Sequence, residues 1–376
     1  MNLSNRQRFI NVMEYSPVDR VPNYEVGVWP QTRLRWENEG LDSRRLNWDW
    51  FTGEEHFHLD AREYIQVNFG MLPQFDEEIL EDDDRHVVIR DTTGRVRKAL
   101  KEGSIGGART SMDQYLKFPV EKRTDLEDLK KRFIPNLGAR FPAGWREIML
   151  PGWRTRDHVL VLGRNCSTLG FYWRAREWMG TENLSYAWYD KPDLMHEMIE
   201  FIADFTIEIA KPVLDEVEVD YVFINEDMAM KNGPLLSPDI YETFIFAHMK
   251  RLVSFLKSKG VGYVVVDTDG NAEPLIRLLM DAGVDGIWPL ERASQDTDPY
   301  FLRKKYGKDL RLWGGVDKRE LAKDRSAIDA HLRELAELVE AGGFIPTVDH
   351  TVPPDVSLEN FTYYMQQKEK LLRGDL

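Results

Sequence analysis

The chain has 376 residues, of which 42% are hydrophobic and 30% charged, so it can bury a large core and is not a mainly disordered chain. Its formal net charge of -14 disfavours binding to nucleic acid or anionic lipid, and no apolar run approaches the ~18 residues that a membrane span needs. The single cysteine, Cys166, excludes an internal disulfide and a multi-cysteine zinc site, and we interpret it as a packing residue. These properties are typical of an intracellular globular protein, which we expect in the cytoplasm.

The first third of the chain predicts short, irregular elements. Ser4 opens a capping box for a helix that ends before Pro17, and residues 21–29 form a strand-like run. Residues 30–135 are harder to assign. Within them we predict a solvated acidic loop at 81–84, a β-hairpin at 86–100 and an amphipathic helix at 125–133.

The remainder alternates regularly between apolar runs and helical patterns. Strands are predicted at 159–162, 221–224, 263–266, 286–288, 310–313 and 343–345. Helices are predicted at 194–217, 238–259, 272–282, 299–306, 328–341 and 358–372. With the run at 21–29 and one more strand near 65–69, the pattern predicts an α/β fold, a single (βα)8 TIM barrel over residues 1–376 with an N-terminal extension and a β-hairpin insertion. An open, doubly wound sheet is the alternative, but no glycine-rich phosphate fingerprint follows the first strand.

Carboxylates and one histidine follow the predicted strands at their carboxyl ends: Glu226, Asp227, Asp267, Asp269, Glu291, Asp317 and His350. In a barrel these ends share one mouth, where catalytic groups collect. Each residue alone is better explained as a helix cap or a loop carboxylate. Several carboxylates in one cleft repel each other, however, and require a cation, shared protons or arginine partners. Oxygen ligands with one imidazole suit zinc, manganese, iron or magnesium.

Aromatic and basic residues supply candidate walls for a pocket. Tyr172 and Trp173 follow a predicted strand and could contact a flat or apolar ligand. Arg33 and Arg35 follow the first strand and could bind a carboxylate or phosphate, although surface ion pairs are the alternative. The tryptophan-rich stretch 173–189 is compatible with a homodimer.

Several ordered motifs resemble the uroporphyrinogen decarboxylase superfamily. They are R-F at 8–9, P-V-D-R-V-P at 17–22, E-D-M-A at 226–229, G-P-L-L-S-P at 233–238, G-N at 270–271, G-G-V-D at 314–317 and P-P-D-V-S-L-E-N at 353–360. The likeness covers most of the chain and is weakest at 37–84. It implies a (βα)8 barrel with its active site at the carboxyl ends of the strands.

Within that superfamily, the chain is more similar to the cobalamin-dependent methyltransferases than to the true decarboxylases. The decarboxylases carry an arginine-rich M-R-Q-A-G-R-Y segment and an F-S-D motif, whereas this chain has V-W-P-Q-T-R-L-R at 28–35 and no F-S-D. The methyltransferases hold zinc through H-x-C-G-N and a later cysteine. This chain has D-T-D-G-N at 267–271, and His350 stands where the later cysteine would be. The resemblance therefore implies a divalent metal, zinc first among several, held by Asp267, Asp269 and His350.

The resulting hypothesis is metal-assisted methyl transfer between a small molecule and a corrinoid supplied by a partner protein. Glu226 and Asp227 are the predicted catalytic residues. The predicted substrate-binding residues are Arg33, Arg35, Tyr172, Trp173, Asn271, Glu291 and Asp317. Two alternatives remain. One is a decarboxylase or lyase whose Arg33 and Arg35 bind a carboxylate-bearing substrate. The other is a non-catalytic barrel that binds a corrinoid or tetrapyrrole and has lost its metal site.

Overall fold

The computed structural model describes residues 3–42, 44, 46–48, 50–105, 108–109, 113–163 and 169–376. For residues 104–105 and 108–109 only the backbone is described. Cys166, interpreted above as a packing residue, lies outside the described residues. In the described part of the chain, no helix is both long enough and apolar enough to cross a membrane.

The α-helices of the described residues range from 3 to 23 residues in length, and the two longest lie in the second half of the chain. They are α1 (Asn5–Met13), α2 (Pro30–Asn38), α3 (Arg123–Lys130), α4 (Trp145–Ile148), α5 (Leu150–Thr155), α6 (Phe171–Met179), α7 (Thr181–Asp190), α8 (Pro192–Leu214), α9 (Pro238–Ile240), α10 (Ala247–Ser258), α11 (Glu273–Asp281), α12 (Pro299–Tyr306), α13 (Lys318–Leu321), α14 (Arg325–Glu334), α15 (Ala336–Ala341) and α16 (Leu358–Arg373). A π-helical segment, Tyr241–Phe246, joins α9 to α10.

The described strands are, in chain order, β1 (Arg62–Tyr64), β2 (Glu78–Asp82), β3 (His86–Arg90), β4 (Val96–Leu100), β5 (Ser104–Ile105), β6 (Ala108–Arg109), β7 (Gln114–Lys117), β8 (Val159–Leu162), β9 (Tyr221–Asn225), β10 (Ala229–Met230), β11 (Gly233–Pro234), β12 (Tyr263–Asp267), β13 (Gly286–Leu290), β14 (Arg311–Val316) and β15 (Phe344–Val348). Seven of them form one sheet in the order β1-β8-β9-β12-β13-β14-β15. Every neighbouring pair in this sheet is parallel. The predicted α/β class with a parallel sheet is confirmed.

Two of the eight predicted strands differ from the structure. The strand expected near 65–69 is β1 (Arg62–Tyr64), three residues earlier. In the segment 21–29, Val28 alone among the described residues forms a bridge, which is parallel and pairs with Val352. The reason is that this segment bonds a neighbouring loop instead of a strand: Val28 N–H donates to the carbonyl of Trp48, and Phe51 N–H donates to the carbonyl of Val26.

A separate antiparallel sheet, in the order β2-β3-β4-β7, contains the predicted hairpin. β3 and β4 pair along their whole length, from His86 opposite Leu100 to Arg90 opposite Val96. The predicted acidic loop at 81–84 is partly wrong, because its first two residues belong to β2, an exposed edge strand. Their charged side chains are nevertheless in solvent, as expected for the edge of a sheet.

The central strands are buried on both faces, and each face packs into a different apolar cluster. In β9, Tyr221 and Phe223 face one cluster, which also contains Trp288 and Trp313. The alternate residues Val222 and Ile224 face the other cluster together with α8 and α10. This burial explains why the strands read as continuous apolar runs, and it leaves polar groups only at the strand ends.

Candidate active site

A cavity of about 190 Å³ opens where β9, β12, β13 and β15 end. Its described lining residues are Val26, Trp173, Asn225, Asp227, Asp267, Asp269, Trp288, His350 and Thr351. Five of the predicted site residues are in this set: Trp173, Asp227, Asp267, Asp269 and His350. The sequence therefore located the cavity at the correct end of the strands.

Asp269 and His350 form an ion pair across the cavity. The distance between His350 Nε2 and Asp269 Oδ2 is 3.4 Å, and the two side chains are 26% and 38% exposed. The imidazole also stacks on the indole of Trp29, with ring centroids 5.8 Å apart and planes at 22°. Burial alone would lower the pKa of His350, but the hydrogen bond and charge of Asp269 outweigh burial and raise it. The pair can therefore hold a proton that solvent or a substrate can reach.

Asp227 is held by Arg176 on the adjacent helix α6. Arg176 Nη2 lies 2.5 Å from Asp227 Oδ2, and the guanidinium lies over the ring of Trp173 at 4.6 Å. Asp227 has a φ of 39°, an uncommon conformation for a residue other than glycine. Burial and the charge of Asp269 raise the pKa of Asp227, although Arg176 opposes the shift. Asp227 is thus a cavity carboxylate with one defined cationic partner.

Asp267 links two strand ends. Its Oδ2 accepts a hydrogen bond of 2.8 Å from Nδ2 of Asn225. Its carbonyl accepts from the backbone N–H groups of Glu226 and Asp227, at 2.8 and 3.2 Å. This residue is therefore part of the connection between β9 and β12 as well as of the cavity wall.

Glu226 lies outside the lining of the cavity. Its side chain is fully buried, and its carboxylate accepts hydrogen bonds from the backbone N–H groups of Phe171, Tyr172 and Trp173 at 3.0, 2.7 and 3.4 Å. Burial raises its pKa to about 7, although the three amide hydrogen bonds act in the opposite direction. The structure places this predicted catalytic residue at the beginning of α6.

The other predicted substrate-binding residues also lie away from the cavity lining. Tyr172 is a buried residue in the first turn of α6, and the side chain of Asn271 accepts from the backbone N–H of Glu273 at the start of α11. Glu291 bonds Lys318, and Asp317 bonds Arg319. These side chains therefore serve local contacts.

The two arginines after the first predicted strand are on the surface. Arg33 pairs with Glu37 within α2, and Arg35 pairs with Glu39, the residue that follows the helix. Arg35 also donates to the carbonyl of Pro354. The structure therefore supports the alternative interpretation, in which both arginines form surface ion pairs.

Sequence reasoning missed several residues of the site. Asn225 and Trp288 stand at the ends of predicted strands, so their positions were available as a signal. Trp29 and Arg176 carried no local signal, because each contributes by contacting a cavity residue that is remote in sequence or lies on another element.

The predicted metal ligands do not form a preformed metal site. Among the described residues, no group of three or more histidine, cysteine, aspartate or glutamate side chains is arranged to hold an ion. Asp269 and His350 bond each other, and Asp267 bonds Asn225. Because these donors bond each other and Asn225, we assign no step of the reaction to a metal.

Comparisons with known proteins agree with the fold and the motifs. Residues 172–370 match the family model described as "Uroporphyrinogen decarboxylase (URO-D)". Curated relatives include the uroporphyrinogen decarboxylase of Myxococcus xanthus, 26% identical over 169 residues, and that of Ralstonia nicotianae, 30% identical over 165 residues. These matches cover 44% and 41% of this chain and the same shares of the relatives, so the chain spans less than half the length of either one.

A solved structure extends the likeness over the whole chain. A methyltransferase from Methanosarcina mazei superposes with a TM-score of 0.57 at 15% sequence identity, covering 98% of this chain and 99% of that chain. At this identity the likeness shows a shared fold.

Proposed function

This chain belongs to the uroporphyrinogen decarboxylase family, and from that premise we propose that it is an enzyme that transfers a methyl group between a small molecule and a corrinoid carried by a partner protein. The observation that carries the proposal is the Asp269–His350 pair, which faces a cavity at the carboxyl ends of the strands. Barrel enzymes place their chemistry at these ends. The shared fold with a solved methyltransferase supports the same reading.

The size of the cavity favours a small substrate. Its volume of about 190 Å³ is below the roughly 300–1,000 Å³ of pockets that enclose drug-sized ligands. A porphyrinogen with several carboxylates would require a larger space and cationic partners. Arg33 and Arg35, the candidates for that role, are engaged in surface pairs. We therefore favour a small methylated molecule over a tetrapyrrole.

In the proposed reaction, the Asp269–His350 pair carries the proton. When the bond between the methyl carbon and the heteroatom of the substrate breaks, its electron pair remains on the heteroatom. Protonated His350 then donates its proton to that heteroatom, and Asp269 stabilises the imidazolium beforehand. In the opposite direction, neutral His350 removes the proton from the acceptor. Trp173 and Trp288 exclude water from the sides of the cavity.

A reduced corrinoid, when bound, would supply the electron pair for the new bond to the methyl carbon. The rim of the cavity offers apolar contacts for such a flat group. Trp29, which stacks on His350, is 44% exposed, and Met230 is 62% exposed. The backbone of Met230 packs directly against Gly270, next to Asp269. Trp29 therefore contacts the proton-carrying pair directly, and Met230 lies close in the fold to the residue next to Asp269.

Four further predictions accompany this function. Residues 21–29 complete a (βα)8 barrel, a view supported by the bridge from Val28 to Val352 beside β15 and by the bond from Arg62 to the carbonyl of Glu25 beside β1. Zinc bound by Asp267, Asp269 and His350 stays a prediction from the sequence, and metal analysis of the purified protein tests it. A homodimer and a cytoplasmic location also stay predictions.

The second candidate function is decarboxylation of a small carboxylate, favoured by the curated relatives, which are decarboxylases. In that reaction the same pair would protonate the carbanion that remains after carbon dioxide leaves. Decarboxylation differs from the proposed methyl transfer in that it requires no methyl donor.

The test is a spectroscopic assay with methylcobalamin and a panel of small hydroxyl, thiol and amine acceptors, run on the wild type and on His350→Gln. Loss of the methyl group from cobalamin, dependent on an acceptor and on His350, is the expected result. Release of carbon dioxide from small carboxylic acids without demethylation of methylcobalamin would replace the proposal with the decarboxylase. An absence of both reactions would contradict both enzymatic functions.

A further inference from the structure

We propose that Glu226 is a positioning residue: its buried carboxyl group fixes the first turn of α6 and thereby places Trp173 and Arg176 at the cavity. The inference rests on the proposed function only in treating the cavity as the active site. It replaces the sequence-based prediction that Glu226 is a catalytic residue.

The contacts of Glu226 are unusual because the helix cap comes from far along the chain. Gly170, which precedes α6, has no side chain to cap the helix. The capping group is instead the carboxyl group of Glu226, which accepts from three successive backbone N–H groups, those of residues 171–173. Glu226 lies 53 to 55 residues after these donors in the chain. The first N–H groups of a helix have no partner within it and carry partial positive charge, so a buried carboxylate stabilises them.

The two segments also approach each other too closely for any side chain at position 170. A Cβ on Gly170 would lie 1.9 Å from the carbonyl oxygen of Asn225 and 3.3 Å from Oε2 of Glu226. The beginning of α6 is therefore held against the end of β9 by backbone contact as well as by the carboxylate.

The anchored helix bears two groups of the site. Trp173 lies in its first turn and lines the cavity. Arg176 lies one turn further, stacks on Trp173 and binds both the carboxylate and the carbonyl of Asp227. A shift of α6 would therefore move Trp173 and Arg176 and would disturb the bonds from Arg176 to Asp227. Glu226 thus acts on the cavity through α6, without touching it.

The arrangement also has a consequence for the choice of substrate. The amino end of a helix at a barrel mouth is a common binding point for anions. Here the protein's own carboxylate occupies that point. We expect the wild-type site to bind no substrate carboxylate or phosphate at α6.

The test measures hydrogen exchange of the backbone amides at 171–173 by mass spectrometry in the wild type, Glu226→Gln and Glu226→Ala. The matched control is Asp324→Asn, which weakens another carboxylate cap, on α14, where Asp324 accepts from the N–H of Ala327. The Glu226→Ala protein is also measured with added sodium acetate and, at equal ionic strength, with sodium chloride. If Glu226→Ala fails to fold, Glu226→Gln alone carries the comparison.

Exchange at 171–173 is expected to accelerate about tenfold or more in both Glu226 variants, because the amide hydrogen bonds to the carboxyl oxygens of Glu226 are lost in Glu226→Ala and weakened in Glu226→Gln. In Asp324→Asn these amides should be unchanged. Acetate, but not chloride, should restore protection in Glu226→Ala by entering the vacated space. Equal exchange at 171–173 in the wild type and both variants would overturn the proposal, and so would acceleration without any selective effect of acetate.

A kinetic readout separates positioning from direct chemistry once a reaction has been found. Glu226→Gln should raise KM more than it lowers kcat and should leave intact the pH dependence that arises from His350. A loss of that pH dependence would make Glu226 a catalytic acid or base instead. The exchange measurement needs no substrate, so a failed methyl-transfer assay would leave this inference standing.

Discussion

The two halves of the strand-end surface use the same kinds of residue in different ways. In the open half, at the ends of β9, β12 and β15, Asp227, Asp269 and His350 line the cavity. In the paired half, between β13 and β15, Glu291 and Asp349 both pair with Lys318. Neither of these two carboxylates lines the cavity.

The paired half shows how carboxylates at strand ends become structural. Lys318 Nζ lies 2.9 Å from Glu291 and 3.4 Å from Asp349. Asp349 is fully buried and also accepts from the backbone N–H groups of Arg292 and Lys318. Burial raises the pKa of Asp349 to about 6, although Lys318 opposes the shift. Position at a strand end is thus insufficient for a catalytic role; the side chain must also face the cavity.

The largest effect is expected when either residue of the proposed proton-carrying pair in the open half is replaced. His350→Gln and Asp269→Asn should each lower the turnover rate by about 10²–10⁴-fold, the usual contribution of general acid–base catalysis. Both side chains are partly exposed, so unfolding free energies should change little. The assay with methylcobalamin measures the effect, and Glu291→Gln is the control from the paired half. A rate within threefold of the wild type in both variants would show that the pair does not carry the proton.

A second prediction concerns the pH dependence of stability at Glu226. Its folded-state pKa of about 7 is above its ordinary value of 4.5, so the native state binds more protons than the unfolded state between these values. The stabilisation that protonated Glu226 provides is therefore complete below pH 4.5 and disappears as the pH rises through 7. Relative to Glu226→Gln, the wild type should lose on the order of 3 kcal/mol of unfolding free energy between pH 5 and pH 8. Urea denaturation of both proteins across this range measures the unfolding free energies. If these free energies change with pH in the same way in both proteins, the raised pKa of Glu226 is wrong.

A smaller effect is expected in the paired half. Lys318→Met should reduce the unfolding free energy by about 2 kcal/mol, because Asp349 stays buried without its ammonium partner. The double variant Lys318→Met, Asp349→Asn should recover part of the loss. Urea denaturation at pH 7.5 of Lys318→Met, Asp349→Asn and the double variant gives the three changes in unfolding free energy. Full additivity of the two single substitutions would exclude the coupling.

The smallest effect is expected outside both halves. Arg33→Ala should change stability by less than about 0.5 kcal/mol, since its pair with Glu37 is exposed. It should also leave substrate KM unchanged, because Arg33 does not line the cavity. A several-fold increase in KM for a carboxylate substrate would instead support the decarboxylase reading.

Much of the regular part of the fold was readable from the sequence because fully buried parallel strands produce continuous apolar runs. The prediction for β8, at 159–162, coincides with the structure, and α12, at 299–306, does too. The helices α6 and α7 were missed. For α6 the physical reason is that its cap, Glu226, is supplied from more than fifty residues away, so no local capping residue marks its start.

The site was predictable to the level of the strand end but not to the direction of each side chain. Glu226 and Asp227 are adjacent, yet one is buried against α6 and the other lines the cavity. The left-handed backbone at Asp227 separates them, and nothing in the residue pattern specifies that conformation. Asp269 and His350 were correctly placed together, since both follow strands at the same end of the sheet.

The most direct test of the central claim, that Asp269 and His350 act as one proton-carrying pair, is an NMR titration of the His350 imidazole in the wild type and in Asp269→Asn. In the wild type, its pKa should lie above the ordinary value of 6.5, because Asp269 outweighs burial. In Asp269→Asn burial prevails, and the pKa should fall below 6.5. An identical pKa in the two proteins would contradict the claim, since the carboxylate would then have no influence on the imidazole.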